Sequence, residues 1–572
     1  MGTRRQAGIV DLPKRQRDSY LAAGLWETQT IPQQFRASAR RWAGRTAVRT
    51  ADEAWTYAEL DRRSDSVAVG LLEAGFAPGD PVIVQLTNSA AVVSAWYGML
   101  KAGLIPVCTL PIHRRHEIEE IAGQTGAVGH LVQAELPSFD LFAFAEEMQR
   151  LVPTMTKIIS VGAPRGSGGL RVEDLQRTEL TPSRVSVLDR IAEAALSDDV
   201  AVFQLSGGTT AVPKVIPRCH AEYWYNAVAT SSWWGHDADS VLAFALPLVH
   251  NAGVANALHA AAAVGAELLL ATPAAAVTVP LMAEHHATFL LSPPGLMHEY
   301  LAHPQFAAAF AAVEHCVLTA APVPRTLFDD LQSRGVRVQQ AFGMSEGLFM
   351  FTPPDAPAEL RARTVGVPIS DQDEVGVLVP DSNDPVAPGE IGELCVKGPY
   401  TIAGYLNAPE RNATAFTADG FYRTGDLVRK QVIDGVAGFS IEGRAKDLIS
   451  RGGEKVNAEE VERLLARSEL VTEAALVAMP DDRLGERACA YIVPADPERP
   501  PDLASLCAFL EQAGLSKFKW PERVELVEAL PRTPIGKVRK ADLREDIQRK
   551  VAFGGPPSLQ LPPTPPSPQE TP

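Results

Sequence analysis

Short apolar runs that alternate with amphipathic segments restrict the fold more than any other feature of this sequence. Six runs have the length and composition of buried strands: PVIVQL (81–86), VAVFQLS (200–206), AELLLA (266–271), ATFLLS (287–292), HCVLTA (315–320) and VRVQQAFG (336–343). Helical patterns such as SAAVVSAWYGMLKAG (89–103) and PRTLFDDLQSRG (324–335) accompany them. Strands and helices alternating at this spacing predict mainly parallel sheets covered by helices, that is, an α/β fold.

The pattern changes near residue 370. The segments DEVGVLVP, GELCVKGP and GFYRTGDLVRK are short and rich in turn residues, which indicates β-hairpins. A compact α+β stretch follows from about residue 447, with helical patterns at 458–468 and 503–514 and strand patterns at 473–480 and 489–495. We therefore place a domain boundary between Arg444 and Asp447.

Charge and cysteine usage exclude several classes of protein. The net charge of −16 argues against nucleic acid as a partner, because phosphate backbones select basic surfaces. No CxxC pair is present, so a zinc site or disulfide framework is not expected, and a reducing cytoplasm fits. The N-terminus lacks the apolar core of a signal peptide, and the Ala-rich run at 259–277 is broken by Gly and Pro, so we expect no membrane partner.

The stretch LSGGTTAVPKVIPR (205–218) combines glycines, hydroxyl residues and Lys214. Small residues with open N–H groups beside a cation are suited to holding phosphate. The Walker P-loop requires GK followed by Ser or Thr, whereas here Pro213 precedes the lysine and Val215 follows it, which excludes a P-loop kinase or ATPase. Taken alone, the stretch leaves both a phosphate cradle and an ordinary Gly/Thr turn open.

Four further motifs stand after this loop in the order FGMSEG (342–347), YRTGD (422–426), GRAKDLISRGGEKV (443–456) and PRTPIGKVRK (531–540). With the loop, they resemble the adenylate-forming superfamily of acyl-CoA synthetases, peptide-synthetase adenylation domains and luciferases, over roughly residues 30–545. The segments IPVCTLPIHRRHEI, VIPRCHAEYWYN, LVHNAG and QQAFGMSEGLFMFT resemble most closely the stand-alone aryl-acid–AMP ligases that activate 2,3-dihydroxybenzoate or salicylate for siderophores.

The resemblance implies the domain organisation. A large N-terminal domain of two α/β subdomains plus a distorted β-barrel is capped by a small, mobile α+β C-terminal domain. The chain would divide into an N-terminal extension at 1–29, the adenylate-forming domain at 30–445, the mobile domain at 446–549 and a disordered, proline-rich tail at 550–572.

The resemblance also assigns the nucleotide site. The phosphates of ATP would be held by Ser206, Gly207, Gly208, Thr209, Thr210 and Lys214. The adenine would be flanked by Ala341, Phe342, Gly343 and Met344. Asp426 would accept both ribose hydroxyls with help from Arg444, and Glu346 would hold Mg²⁺, a cation that prefers oxygen ligands. Family members have glycine at the position of Ala211. The alanine in this chain would stiffen the loop without abolishing binding.

Two lysines carry the implied catalytic cycle. Lys537 would bridge the substrate carboxylate and the α-phosphate and stabilise the charge that develops there. Lys446 matches the hinge, where a few residues can swing a domain. The swing would remove the Lys537 loop and bring in the loop at 449–456, so that a thiol can attack the acyl adenylate.

The segment LPLVHNAGVANALHA (246–260) resembles the lining of the acyl site, with His250 and Asn251 as the family pair. Asn251 would hydrogen-bond an ortho hydroxyl or amine on the ring. The chain departs from the siderophore pattern at Ala252, Asn256, Thr319, Ala320 and Phe349. An ortho-hydroxy or ortho-amino aryl acid with a further polar group, such as 3-hydroxyanthranilate, is therefore a hypothesis alongside salicylate and dihydroxybenzoate.

We interpret the chain as an ATP- and Mg²⁺-dependent ligase of natural-product biosynthesis. It would form an aryl adenylate and pass the acyl group to the phosphopantetheine thiol of a carrier protein or of CoA. A benzoate-type aryl-CoA ligase is the alternative within the same class. A non-catalytic adenylate-binding regulator is the alternative from another class, and Ala211 is the residue that favours it.

Overall fold

The computed structural model describes residues 8–136, 139–162, 168–206, 214–321, 323–379, 382–444, 448–531, 538 and 540–552. The chain forms two compact units, one made of most of the first 444 residues and one made mainly of residues from 448 onward. Each unit has its own sheets and its own clusters of buried apolar side chains.

A seven-stranded sheet forms one layer of the larger unit. Its strands are, in spatial order, Lys214–Cys219, Val200–Ser206, Ile105–Cys108, Pro81–Gln85, Gly129–Gln133, Lys157–Val161 and Leu170–Arg171. All neighbours are parallel except the first pair, in which Ser206 is the register partner of Lys214. Ser206, which ends one strand, and Lys214, which begins the next, therefore lie side by side at the carboxyl edge of the sheet, where ligands bind in open α/β folds.

A nine-stranded sheet forms a second layer of the same unit. Its strands are, in spatial order, Val367–Pro368, Phe349–Phe351, Val338–Gly343, His315–Leu318, Phe289–Ser292, Val241–Phe244, Glu267–Leu270, Thr46–Arg49 and Ala54–Thr56. The six central strands are parallel and most of their residues are buried, as expected of a sheet covered on both faces.

An antiparallel four-stranded sheet follows along the chain. Its strands are Glu374–Leu378, Ile391–Lys397, Tyr422–Ile433 and Val436–Arg444. The last two strands form a hairpin in which Ile433 pairs with Val436 across the turn Asp434-Gly435, and both turn residues have positive φ. This sheet confirms the hairpins expected after residue 370. A two-stranded ribbon of Glu135–Leu136 and Phe139–Asp140 completes the strands of the larger unit.

Capping residues fix several helix starts. Thr56 accepts a hydrogen bond from the backbone of Glu59 in a capping box, and Ser89 caps the helix that follows it. The α-helices of the described chain are Lys14–Ala22, Ile31–Arg41, Tyr57–Glu73, Ala90–Lys101, Arg115–Thr125, Leu141–Leu151, Val172–Leu175, Pro182–Ala194, His220–Trp234, Asn251–Gly253, His259–Val264, Ala275–Glu284, Pro294–Ala302, Phe306–Ala309, Arg325–Ser333, Ala358–Arg363, Pro409–Ala415, Ala458–Leu465, Leu503–Gln512 and Lys540–Ala552. Among the described residues, no helix is both long and apolar enough to cross a bilayer.

The smaller unit is an α+β sandwich. Its five-stranded sheet is ordered Glu454–Asn457, Leu448–Arg451, Gly485–Pro494 and Val471–Asp481, with Arg523–Leu526 pairing with Gly485–Pro494. A short 3₁₀ turn, Lys517–Lys519, precedes that last strand. Buried Lys519 lies 3.0 Å from both carboxylate oxygens of Glu460, so the buried cation is paired.

The expected fold class is confirmed. The apolar runs read from the sequence are strands of the two large sheets, and the patterns at 89–103 and 324–335 are helices. A large, mainly parallel α/β unit and a small α+β unit are both present.

Candidate functional site

A hydroxyl and an ammonium meet at the carboxyl edge of the seven-stranded sheet. In the described part of the chain, the buried Oγ of Ser206 has no hydrogen-bond partner. The Nζ of Lys214 lies 3.5 Å from the Tyr405 hydroxyl and 4.9 Å from the centre of its ring. The loop residues Gly207, Gly208, Thr209, Thr210 and Ala211 lie outside the described residues. The two residues that flank the loop thus bring a hydroxyl and a cation to one edge.

Glu346 is only 5% exposed and is held by two tyrosines. Its Oε1 accepts hydrogen bonds from the hydroxyls of Tyr405 at 2.7 Å and Tyr422 at 3.2 Å. Burial, and next the nearby Glu346 carboxylate, raise the pKa of both phenols well above its ordinary value, so both remain neutral donors. The carboxylate is therefore oriented by hydroxyl groups rather than by a cation.

The turn after the strand Val338–Gly343 sets the position of Glu346. The Gly347 N–H donates to the Met344 carbonyl at 3.1 Å, and the Ile402 N–H donates to the Glu346 carbonyl at 3.0 Å. Gly347 has φ +131°, and a Cβ at this position would overlap the carbonyl of Tyr400. Glycine is therefore required directly after the acid, which explains the end of the FGMSEG motif.

Asp426 lies in the long strand Tyr422–Ile433. It is buried, its N–H donates to Oγ1 of Thr424 at 3.0 Å, and its register partner on the next strand is Arg444. The hairpin therefore places the backbones of the two predicted ribose-binding residues side by side. The side chain of Arg444 lies outside the described part of the chain.

The residues predicted to flank the adenine form the end of one strand and the start of the Glu346 turn. Ala341 is buried, and its carbonyl accepts a hydrogen bond from Oγ1 of Thr319 at 3.0 Å. Phe342 and Met344 are half-buried, and Gly343 is exposed and pairs with Phe349. A Cβ on Gly343 would overlap the Phe349 ring, so glycine permits this close pairing.

The predicted acid-binding pair opens an irregular helix. His250 is exposed and precedes the short helix Asn251–Gly253, and the following turn, Val254–Leu258, is a π-helix. Asn256 lies in this π-helix, is buried, and accepts a hydrogen bond from Oγ1 of Thr230 at 3.0 Å. A π-helical turn re-aims side chains and occurs frequently at functional sites. Ala252 is half-buried beside it.

Asn251 is buried and has partners on both atoms of its amide. Its Oδ1 accepts from Nη1 of Arg218 at 3.1 Å, and its Nδ2 donates to the Met344 carbonyl at 3.1 Å. The same Nη1 donates to the Ser345 carbonyl at 2.9 Å. Asn251 thus lies against the turn that carries Glu346.

Arg218 is fully buried and forms a two-point pair with Glu222, with Nε–Oε1 at 2.8 Å and Nη2–Oε2 at 2.6 Å. Burial acts to lower the pKa of Arg218, but the Glu222 carboxylate outweighs it and the pKa is raised. Arg218 therefore keeps its charge inside the protein.

The described members of the predicted set all lie in the larger unit, whereas Lys446 and Lys537 lie outside the described residues. Sequence reasoning missed Arg218, Tyr405 and Tyr422, although Arg218 and Tyr422 stand inside the quoted motifs VIPRC and YRTGD. Among the described residues, no cluster of three His, Cys, Asp or Glu side chains could hold a metal. The single carboxylate of Glu346 is compatible with Mg²⁺, because this cation commonly binds one or two carboxylates together with substrate phosphates.

Comparisons with known proteins identify the family of the chain. Residues 35–406 match the family model "AMP-binding enzyme", and residues 460–537 match "AMP-binding enzyme C-terminal domain". A salicylyl-CoA synthase / salicylate adenylyltransferase of a Streptomyces species is 37% identical over 95% of this chain and 98% of the relative. The 2,3-dihydroxybenzoate-AMP ligase of Bacillus subtilis is 37% identical over 96% of this chain and 99% of the relative.

A solved structure is similar along almost the whole chain. The apo structure of MbtA from Mycobacterium smegmatis has 35% sequence identity and a TM-score of 0.69, over 94% of this chain and 99% of that one. The resemblance inferred from the motifs is confirmed. The chain belongs to the AMP-binding enzyme family, the adenylate-forming ligases.

Proposed function

We propose that this protein activates an ortho-substituted aromatic carboxylic acid with ATP and transfers the acyl group to a phosphopantetheine thiol in natural-product biosynthesis. The observation that carries the proposal is the 3.1 Å hydrogen bond from Asn251 to the Met344 carbonyl, two residues before Glu346. It supports the proposal because an amide that can hydrogen-bond an aryl substituent contacts the same short turn that carries a buried carboxylate. An acid and a metal-bound triphosphate can therefore meet across this turn.

The nucleotide roles follow from the same layout. Lys214 and the Ser206 hydroxyl hold phosphate oxygens together with Gly207, Gly208, Thr209 and Thr210. Residues 341–344 flank the adenine, and Asp426 with Arg444 binds the ribose. Glu346 holds Mg²⁺, which when bound neutralises charge on the phosphates. The Ser206 Oγ is buried without a partner in the described chain, and a phosphate oxygen would supply the missing acceptor.

The reaction joins two anions. A carboxylate oxygen of the acid attacks the α-phosphorus of ATP, and the bond to pyrophosphate breaks. Lys537 neutralises the charge that develops on the α-phosphoryl group. In the second step the thiol sulfur attacks the acyl carbon and AMP leaves. We propose the hinge at Lys446, between a domain at 30–445 and a mobile domain at 446–549.

The relatives support an aryl acid as the substrate. Their names specify salicylate and 2,3-dihydroxybenzoate, and one of them names CoA as the acceptor. In this chain Asn256 adds a buried amide, and His250, Ala252, Thr319, Ala320 and Phe349 complete the proposed acid site. An ortho-hydroxy or ortho-amino acid with a further polar group, such as 3-hydroxyanthranilate, fits beside these two acids. A carrier protein and CoA are both proposed acceptors.

The test is ATP–pyrophosphate exchange across a panel of aryl acids. We expect exchange only when an ortho-substituted aryl acid is added, followed by thioester formation with CoA or with a carrier protein. Lys537→Ala should lower the exchange rate roughly 100- to 1,000-fold, as expected when a group that stabilises transition-state charge is lost.

Lys540→Ala is the matched control, because Lys540 pairs with Glu462 at 2.7 Å and has no proposed catalytic role. It should exchange at the wild-type rate. ATP turnover without an acid, no exchange with any aryl acid, or a wild-type rate for Lys537→Ala would each contradict the proposal.

A further inference from the structure

The guanidinium of Arg218 joins the proposed acid site to the segment that carries Glu346. It is fully buried, and its positive charge is balanced by the carboxylate of Glu222. The charge therefore acts mainly on the groups that the guanidinium contacts directly. Its Nη1 donates both to Oδ1 of Asn251 at 3.1 Å and to the Ser345 carbonyl at 2.9 Å. One nitrogen therefore fixes an acid-site amide relative to the backbone directly before Glu346.

The partners of Asn251 determine which way its amide points. An arginine can only donate, so the atom facing Arg218 must be the amide oxygen. A backbone carbonyl can only accept, so the atom facing Met344 must be the amide nitrogen. Rotating the amide by 180° would set donor against donor and acceptor against acceptor. The orientation is thus forced by chemistry.

The fixed orientation decides what Asn251 offers to a ligand. The oxygen is turned towards a buried cation, where a second N–H donor would meet positive charge. The nitrogen donates one N–H to the Met344 carbonyl, and within the described residues its second N–H has no acceptor and can donate to a ligand. Asn251 therefore presents a donor, and a substituent bound to it must accept.

A second amide on the same guanidinium is turned the same way. Oδ1 of Asn226 lies 3.4 Å from Nη2 of Arg218. Within the described chain, the Nδ2 of Asn226 is buried and has no hydrogen-bond partner. A buried donor without an acceptor is costly, so an acceptor that is not part of the described protein is expected here. Arg218 thus turns the oxygens of two amides inward and leaves their N–H groups as donors.

We propose that Arg218 is a positioning residue that makes the site select aryl acids whose ortho substituent accepts a hydrogen bond. A hydroxyl or phenolate oxygen accepts well, whereas the lone pair of an aryl amine is delocalised into the ring and accepts poorly. The site therefore favours a 2-hydroxy acid over the matching 2-amino acid. The inference rests on the proposed function and narrows its substrate class.

The test compares kcat/KM for 2-hydroxybenzoate and 2-aminobenzoate in the exchange assay with full-length protein. We expect the wild type to favour the hydroxy acid at least tenfold. Arg218→Lys keeps the positive charge but cannot contact Glu222, Asn251 and Ser345 together, because it lacks the planar fork. The hydroxy/amino ratio should fall roughly tenfold, the size expected for one misdirected buried hydrogen bond.

A purely structural role for Arg218 would lower the rates for both acids equally and leave the ratio unchanged. Arg361→Lys is the matched control. Arg361 is also buried and donates to the Ala356 carbonyl at 3.1 Å, but it has no proposed contact with the acid. It should leave the ratio at the wild-type value.

Asn251→Asp provides an independent variant that leaves Arg218 in place. A carboxylate still accepts from the guanidinium but has no N–H to donate, so the ratio should move in favour of the amino acid. An unchanged ratio in both Arg218→Lys and Asn251→Asp would overturn the inference, and if the first variant does not fold, the second decides alone. Absence of exchange with every aryl acid in the wild type would instead overturn the proposed function.

Discussion

Two sides of one short turn, residues 344–346, hold their polar groups in opposite ways. The acid side is built around a charge pair and consists of Arg218, Glu222 and Asn251. The phosphate side is built around neutral hydroxyls and consists of Glu346, Tyr405, Tyr422 and Lys214. The acid side pairs its cation with a carboxylate, whereas within the described chain the carboxylate of the phosphate side accepts hydrogen bonds from two neutral tyrosines.

The difference matches what we propose that each side binds. An aryl ring with one polar substituent needs a fixed direction of hydrogen bonding, which a buried and balanced ion pair provides. A triphosphate and its metal bring large charges of their own. A carboxylate oriented by hydroxyls can accept a cation without first breaking an ion pair. The acid side is therefore set for specificity and the phosphate side for charge.

The largest effect, a loss of stability, should come from removing the counter-charge of Arg218 on the acid side. Glu222→Gln leaves the Arg218 cation buried without its counter-charge, which should lower the free energy of unfolding by about 3–5 kcal/mol. Urea unfolding followed by tryptophan fluorescence measures this loss.

Glu267→Gln is the matched control for that variant. It breaks an Arg–Glu pair of similar geometry with Arg49, in which the side chains are 25% and 16% exposed for Arg49 and Glu267. Its loss should be about 1 kcal/mol or less, because solvent stabilises the arginine that remains. Equal losses in the two variants would mean that the acid side does not depend on a desolvated charge pair.

The next largest effect, a fall in exchange rate, should come from removing the charge of Glu346 on the phosphate side. Glu346→Gln keeps an oxygen that can accept from Tyr405 and Tyr422 but removes the charge that would hold Mg²⁺. We expect a fall of roughly 100-fold in exchange rate, equivalent to about 2.7 kcal/mol, together with a higher Mg²⁺ requirement. Titration of the exchange rate with Mg²⁺ measures both.

Tyr405→Phe separates orientation from charge in the same assay. It removes one hydroxyl donor and leaves the carboxylate, so the rate should fall only about five- to tenfold. A wild-type Mg²⁺ dependence in Glu346→Gln would show that Glu346 is not the metal ligand and would remove the contrast between the two sides.

Much of this layout could be predicted from the sequence because it depends on local patterns. Buried parallel strands are continuous apolar runs, so their positions were evident. Asn251 and Glu346 stand in short motifs that could be recognised in the sequence; their roles stay predictions, and the structure shows that Asn251 contacts the turn that carries Glu346.

The supporting contacts could not be predicted, because they join residues far apart in the chain. Arg218 and Ser345 are 127 positions apart, and Tyr422 and Glu346 are 76 apart. The sequence nevertheless carried a signal that Arg218 is buried and paired. Arg218 and Glu222 stand four positions apart in an apolar stretch, and charged side chains are rarely buried unless they are paired. The π-helix at Val254–Leu258, whose five residues are all buried, has no such signal in the sequence.

The smallest effect should come from relieving backbone strain at Ala320, beside the acid side. Ala320, one of the positions where the chain departs from the siderophore pattern, has φ +72°, which costs an alanine about 1–2 kcal/mol. Ala320→Gly relieves this strain but loses about 0.5–1 kcal/mol through greater freedom of the unfolded chain, so stability should rise by at most about 1.5 kcal/mol. Asp434→Gly, at the exposed hairpin turn with φ +51°, is the control and should change stability less, since aspartate tolerates this region.

Because Ala320 lies beside Thr319, whose hydroxyl reaches the Ala341 carbonyl, Ala320→Gly also tests whether the two sides are separable. The KM for the aryl acid should change while the KM for ATP stays the same, and a parallel change in both would show that strain on the acid side is transmitted to the nucleotide.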